Sequence, residues 1–293
     1  MKKRIRFIIN PLSGGRNKST LPAAIKKNLD HVAIDAEIVV SENAQQTTDL
    51  AREAVSRKFD AVVACGGDGT INNIAPFLVN TTVALGIIPL GSGNGFSREL
   101  KIPFKVSEAI ETINQFFFKT ADTAEINGLP FVNIIGVGFD AHIAGLFEGS
   151  VKRGLKTYTK MIIKEFGAYK PENYKLIIEG QTIETRAFLI AVNNGAQFGN
   201  NARISPLADM QDGLLNVTII KECRWVDVPF MAIRLFNGTL HKHAQTETYT
   251  ARSLEILRSG EKVVNVDGEP VKLAHHLRIK ILPGSLKVIV PFG

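Results

Sequence analysis

Asp60-Ala61-Val62-Val63-Ala64-Cys65-Gly66-Gly67-Asp68-Gly69-Thr70 is the stretch that decides the fold. Residues 60–64 make a near-continuous apolar run, the pattern of a parallel strand covered on both faces. Two glycines stop the run, and Thr70–Leu78 then reads as a helix. Consecutive glycines let backbone N–H groups approach phosphate oxygens, and a helix N-terminus adds a favourable dipole. Thr70 suits a helix cap or a phosphate contact. An anionic Asp68 beside phosphates needs a cation or a basic neighbour. Read as structure alone, the same string is a tight turn in which Asp68 caps a helix.

Working outward, the first third alternates. Strands are expected at Arg4–Asn10, Ala36–Val40 and Val83–Ile88, and helices at Thr20–Leu29 and Thr47–Arg57. Strands alternating with helices imply a parallel α/β sheet. Two more glycine turns follow strands of that sheet: Asn10-Pro11-Leu12-Ser13-Gly14-Gly15-Arg16 and Pro89-Leu90-Gly91-Ser92-Gly93-Asn94-Gly95-Phe96. In a parallel sheet all three turns share the carboxyl edge, where open α/β sheets bind ligands. Their convergence points to a nucleotide site. None fits the Walker A pattern or the dinucleotide fingerprint.

Near Ala121 the character changes to short β-rich runs. These are Thr123–Ile126, Phe131–Val137, Lys175–Glu179, Thr182–Ala191, Leu214–Ile220, Leu254–Leu257, Lys262–Val266 and Pro270–Leu273. Turns such as Asn127-Gly128, Glu179-Gly180 and Asp267-Gly268 separate them. The expected organisation is an α/β domain over residues 1–121 and a β-sandwich domain over residues 122–283. The last strand, Leu286–Val290, is expected to return the segment 284–293 to the first domain. Helices are expected at Val151–Phe166 and Trp225–Asn237.

Three polar turns in the second half could carry chemistry. Asp267-Gly268-Glu269 reads locally as a hairpin turn, which leaves both carboxylates free to face a cleft. Asp209-Met210-Gln211-Asp212-Gly213-Leu214 is either a polar turn or a clasp for a hard cation, with backbone oxygen completing the shell. Asp140 ends a strand, as a capping residue or as a group facing a substrate. The six histidines form no metal pattern and are expected in exposed loops. Trp225 and most phenylalanines are expected in the core, with Phe116-Phe117-Phe118 packed on a helix.

Composition narrows the classes. The 293 residues are 45% hydrophobic and 22% charged, which argues for a folded globular chain and against disorder. Two cysteines, Cys65 and Cys223, are too few for a disulfide framework and suit a reducing cytosol. No apolar run is long enough to span a bilayer, and the expectation is a cytoplasmic protein without export. A net charge of +7 favours anionic partners. Val151–Lys164 carries Lys152, Arg153, Lys156, Lys160 and Lys164 with no acid, so as a helix it could lie on anionic lipid or simply be solvated.

Taken together, NPLSGG, GGDGTINN, PLGSGNGFSREL and the distant VDGEP resemble the diacylglycerol kinase catalytic-domain family, which includes bacterial lipid kinases and sphingosine kinases and is distantly related to NAD kinases. The likeness runs from Asn10 to Glu269. It implies ATP and Mg2+ bound in a cleft between an α/β domain and a β-sandwich, with phosphoryl transfer to a lipid hydroxyl. It places Gly66, Gly67, Asp68, Gly69, Thr70, Ile71 and Asn72 on the ATP phosphates. Asn10, Ser92 and Asn94 stand near the nucleotide, and Ser41 near the adenosine. Glu269 becomes the general base, with Asp267 orienting it or helping to hold magnesium, as kinase chemistry requires a carboxylate for the hydroxyl proton. Asp209, Asp212 and the Leu214 backbone become a structural Mg2+ site, and Asp140 faces the lipid headgroup.

One position departs from the family pattern. Where the family usually reads Gly-Thr-Gly-Asn-Asp-Phe-Ala-Arg, this chain has Gly91-Ser92-Gly93-Asn94-Gly95-Phe96-Ser97-Arg98. Serine keeps the hydroxyl, and Gly95 removes a carboxylate. Two other readings compete. An NAD kinase shares the GGDG turn, but its Asn-Glu pair is not evident here, where Asn193-Asn194 stands. A nucleotide-binding, membrane-sensing protein without catalysis would draw on the carboxylate lost at Gly95. Charge alone is weak support for nucleic acid, and none is expected as a partner.

Overall fold

The computed structural model describes residues 1–11, 18–148 and 155–292. The chain divides into two compact units, Met1–Asp122 with Gly284–Gly293, and Thr123–Pro283.

The first unit alternates as its sequence pattern requires. Its elements are β1 (Lys3–Ile9), α1 (Leu21–Asn28), β2 (Ile34–Val40), α2 (Ala44–Ser56), β3 (Ala61–Gly66), α3 (Asp68–Asn72), α4 (Ala75–Leu78), β4 (Ala84–Pro89), α5 (Gly95–Glu99), α6 (Val106–Gln115) and the start of β5 (Phe118–Ile126). The strands pair in parallel, with β1 between β2 and β3, and β3 between β1 and β4. Residues 284–289 add a parallel neighbour to β4, with Val288 opposite Leu85. Every residue of β3 and β4 is buried, because helices and loops cover both faces. Phe7, Val63, Ile88 and Ile289 from the strands pack with Ile25 and Ile110 from α1 and α6.

Two expectations for this unit need correction. The helix read over Thr70–Leu78 is two short helices, with Pro76 in the first turn of the second. A proline lacks the N–H and clashes with the preceding turn, so the chain restarts there. Of Phe116-Phe117-Phe118, Phe116 packs on the core that α1 and α6 line, as expected, and the other two do not sit on a helix. Phe116 ends α6 in the left-handed region at φ 49°, Phe117 meets the edge of Phe292, and Phe118 opens β5.

The second unit holds the rest of β5, then β6 (Leu129–Phe131), β7 (Ile134–Gly138), α7 (Phe139–Glu148), α8 (Leu155–Phe166), β8 (Glu172–Ile178), β9 (Gln181–Asn193), β10 (Leu215–Lys221), α9 (Val228–Phe236), β11 (Thr246–Ala251), β12 (Ser253–Leu257), β13 (Lys262–Val266), β14 (Glu269–Leu273) and the first part of β15 (His276–Ile289). Its pairings are antiparallel. The long β9 organises it: its first half pairs with β8, and its second half lies between β7 and β10. The interior is aliphatic, with Ile135, Leu176, Ile190, Val217, Ile256, Val264 and Leu277 among its members. The result is a β-sandwich-like unit after a parallel α/β unit, the fold class expected from the sequence.

Tight hairpins connect the strands. Asn127-Gly128, Glu179-Gly180 and Asp267-Gly268 all have positive φ at both residues. A two-residue type I′ turn demands that, and glycine meets it without strain.

The histidines are not simply loop residues. His142 lies on α7 with Nε2 3.0 Å from Glu165 of α8, and His276 opens β15 2.6 Å from Glu255. Trp225 precedes α9 in a short 3-10 turn, and it is half exposed rather than core. Residues 151–154 of the basic segment Val151–Lys164 lie outside the described residues, as do Leu12 to Asn17 of the first glycine turn.

Candidate functional site

Adjacent strands β3 and β4 deliver two glycine turns to the same sheet edge, and the turns touch through their backbones. The Leu90 amide donates to the Gly66 carbonyl at 2.7 Å. A Cβ placed on Gly67 would stand 2.9 Å from the Cα of Gly91, and one on Gly91 would stand 2.6 Å from the Cα of Gly67. No side chain fits at either position. Asn94 locks the second turn. It sits in the left-handed region (φ 49°, ψ 47°), accepts from the Gly91 amide at 3.0 Å and donates to the Gly91 carbonyl at 2.8 Å. Asparagine tolerates this conformation better than most residues.

Asp68 ties the turns together. Its carboxylate accepts from the Phe96 amide at 3.4 Å. Burial pushes its pKa above the ordinary 3.8, and backbone hydrogen bonding partly opposes the shift. Gly95, next to the Phe96 amide, is buried at the start of α5 and adds no second carboxylate beside Asp68.

The other residues of the turns divide by exposure. Gly69 and Ser92 face solvent, Asn72 is half-buried, and the Ile71 side chain belongs to the interior. The Thr70 hydroxyl is buried with no hydrogen-bond partner among the described residues. Such a group costs about 1–3 kcal/mol unless a ligand or water satisfies it. The side-chain-free contact of Gly67 with Gly91 and the orphan hydroxyl of Thr70 fit an anionic ligand laid against the edge. Asn10 offers its carbonyl to the Lys18 amine and its amide to the Cys65 carbonyl at 3.4 Å. Ser41 is fully buried, with its hydroxyl accepting from Thr47 at 2.8 Å and donating to the Ile9 carbonyl at 3.4 Å. That hydroxyl is engaged internally.

Lys18 was not singled out by the sequence. It is buried, and desolvation lowers its pKa, opposed by the nearby Cys65. Burial pushes the Cys65 thiol up, out of the nucleophilic range. The one available clue was a lysine placed between a glycine turn and a helix start.

In the second unit the Asp267-Gly268 hairpin is braced from within. Asp267 accepts from three successive amides, Val132 at 2.7 Å, Asn133 at 3.0 Å and Ile134 at 2.7 Å. Asn265 accepts from the Gly268 amide at 2.9 Å and donates to Asp140 at 2.7 Å. Asp140 is buried against Gly136, where a Cβ would come 1.7 Å from its Oδ2. Glu269 opens β14 and is exposed. The sequence did not single out Asn265, although a polar residue at an inward position of β13 was the signal.

Asp209 and Asp212 are exposed, and each closes a local turn, onto the Gln211 amide at 3.0 Å and the Leu214 amide at 2.9 Å. Among the described residues no three His, Cys, Asp or Glu side chains gather in a way that could hold a metal ion. Asn193 and Asn194 are fully buried, Asn194 donating to the Val132 carbonyl at 2.8 Å.

Comparison with known proteins decides the family. Residues 4–126 match the diacylglycerol kinase catalytic domain, and residues 133–290 match the YegS C-terminal NAD kinase beta sandwich-like domain. The chain belongs to the diacylglycerol kinase-like lipid kinase family. Within this family it is 30% identical to "Probable lipid kinase YegS-like" of Chromohalobacter salexigens, over 83% of this chain and 80% of that one. It is 26% identical to "Diacylglycerol kinase" of Bacillus subtilis, over 91% and 90% of the two chains. A solved Bacillus anthracis protein assigned to the diacylglycerol kinases superposes with a TM-score of 0.80 at 26% identity, covering 99% of this chain and 97% of that one. The names of these relatives are those of kinases. No helix among the described residues is long and apolar enough to cross a membrane.

Proposed function

We propose that this protein transfers the γ-phosphoryl group of ATP to the hydroxyl of a lipid, of diacylglycerol, phosphatidylglycerol or sphingoid type. One observation carries the reading. The first unit builds a side-chain-free backbone edge from two glycine turns, and the second builds a hairpin braced through Asp267 that carries Glu269 at an exposed position. An edge of that kind suits phosphates, and an exposed carboxylate on a stiff hairpin suits proton removal from an alcohol.

Each residue then has a task. Gly66 to Gly69 with Gly91 lay backbone against the triphosphate, and the Thr70 hydroxyl gains the partner it otherwise lacks. Asp68 holds the two turns in register. Glu269 takes the proton of the acceptor hydroxyl. Asp267, Asn265 and Asp140 keep the hairpin in place, so Asp140 bears on the headgroup through the hairpin it braces. Magnesium bound with the nucleotide would offset charge on the transferring group. A second cation would sit at Asp209, Asp212 and the Leu214 carbonyl in a structural role. The protein would work as a peripheral, cytoplasmic enzyme at a lipid surface.

The test is transfer of radiolabelled γ-phosphate from ATP with Mg2+ to a panel of lipid acceptors in mixed micelles, with NAD run alongside. Label on a lipid and none on NAD is expected. Label on NAD instead would replace this reading with an NAD kinase. ATP binding with no acceptor labelled would favour a nucleotide-binding sensor.

A further inference from the structure

We propose that α9 and the turn before it form a docking face for an anionic lipid bilayer, an inference that takes its purpose from the lipid-kinase reading but its evidence from exposure and charge. The helix reads Val228-Pro-Phe-Met-Ala-Ile-Arg-Leu-Phe236 and contains no carboxylate. An amphipathic helix on a globular protein normally turns one apolar stripe inward and a polar face outward. Here both faces are apolar. Met231 and Leu235 pack inward on the cluster that includes Ile134, Phe139 and Phe188. Phe230, Ile233 and Phe236 point outward at 64%, 59% and 58% exposure, joined by Trp225 at 52% and Val226 at 61%. Val226, Phe230 and Ile233 follow the i, i+4, i+7 spacing of one helix face.

Single exposed apolar residues need no explanation, but five large ones within twelve positions form a patch of the kind that marks an interaction surface. The patch continues towards α8. The Trp225 ring lies 4.9 Å from Phe166, and on α8 Ile163 is exposed together with Lys160 and Lys164.

Charge selects the occupant. From Arg224 to Thr246 the sole acidic residue is Asp227. Its carboxylate is spent locally, accepting from the Arg224 amide at 2.9 Å with the Arg224 guanidinium 3.6 Å away. Arg234 lies on the helix that carries the apolar stripe, Lys242 follows it in sequence and is exposed, and the chain as a whole carries +7. Apolar residues that enter the acyl boundary, a tryptophan at the interface and cations beside them match an anionic bilayer. A second copy of this chain fits poorly. A two-fold contact must be self-complementary, and apart from Asp227, already held by Arg224, residues 224–246 offer no carboxylate to answer their own cations.

Sedimentation of the full chain with vesicles, without nucleotide, tests this. The vesicles are phosphatidylcholine alone or phosphatidylcholine with phosphatidylglycerol. Wild type should bind the anionic vesicles about tenfold or more better than the neutral ones, since each cation near the surface contributes about fivefold. The double variant Phe230→Asp, Ile233→Asp should lose about tenfold or more on anionic vesicles. It should keep the wild-type unfolding midpoint, because both side chains are exposed. Arg234→Glu should weaken anionic binding and leave neutral binding unchanged. Equal binding of the double variant and wild type, or equal binding of wild type to both vesicle types, would overturn the proposal. So would a wild-type dimer that the double variant dissociates, since a second copy would then own the face. The assay involves no phosphoryl transfer, so a failed kinase reading would leave its result standing.

Discussion

The glycine edge of the first unit and the Asp-Gly-Glu hairpin of the second both hold an aspartate that accepts from backbone N–H. Asp68 accepts from the Phe96 amide at 3.4 Å, and Asp267 accepts from the amides of residues 132–134. What surrounds them differs. Asp68 is desolvated in a site made of glycine backbone, and burial raises its pKa. Asp267 receives three short bonds and anchors a hairpin that leaves Glu269 exposed. Similar sequence, a glycine beside an aspartate, therefore does opposite physical work. In the first unit burial works against the carboxylate at a glycine-built edge, and in the second three amides use the carboxylate to stiffen a hairpin.

Substitutions can break or sharpen that contrast. The largest effect is expected at Glu269. Replacing it with alanine should lower phosphoryl transfer by about 10²–10⁴-fold, the range of a lost general base. Stability should move by less than about 0.5 kcal/mol, as for surface positions generally. Asp267→Ala should do the reverse in stability, because three amides lose their acceptor. A loss of about 3 kcal/mol in urea unfolding is expected, in line with hydrogen bonds to a charged group left unmade.

Gly91→Ala tests the glycine edge by size. Its Cβ would press on the Cα of Gly67, which is backbone and cannot swing aside. A cost of about 1–3 kcal/mol is expected, as for overpacking, and ATP, expected to raise the wild-type melting temperature, should no longer do so in the variant. The smallest effect is expected at Asp68. Because its folded pKa is raised, the folded state takes up its proton at higher pH than the unfolded chain does. The group therefore costs stability above its folded pKa, and that cost fades as pH falls through it. Asp68→Asn should match or exceed wild-type stability at pH 8, and the difference should shrink as the pH falls towards the ordinary aspartate range. A variant less stable than wild type at pH 8 would show that the backbone bond Asp68 accepts across the turns outweighs the cost of its burial.

Much of this was legible in the sequence because the signals were local. The buried run of β3, the glycines after it and the Asp-Gly turn at residues 267–268 each fix their own backbone. α7 was missed because it follows β7 directly through Gly138, whose φ of 85° turns the chain with no polar linker. Asp140 therefore looked like a strand terminus. Its partner Asn265 is 125 residues away, a contact no local pattern encodes. The same holds for Asp267, whose amide partners lie more than 130 residues upstream. The exposed face of α9 was hidden for another reason. An apolar helix reads as core until its surroundings are known, and only burial shows that Phe230 and Ile233 have no cover.

The most direct test pairs two measurements on the variants Glu269→Ala and Asp267→Ala: transfer of labelled γ-phosphate from ATP to the best lipid acceptor, and the free energy of urea unfolding. The account predicts that Glu269→Ala unfolds like wild type and loses at least about a hundredfold in transfer, while Asp267→Ala is substantially destabilised. A Glu269→Ala protein that still transfers phosphate to the lipid at near wild-type rate would contradict it.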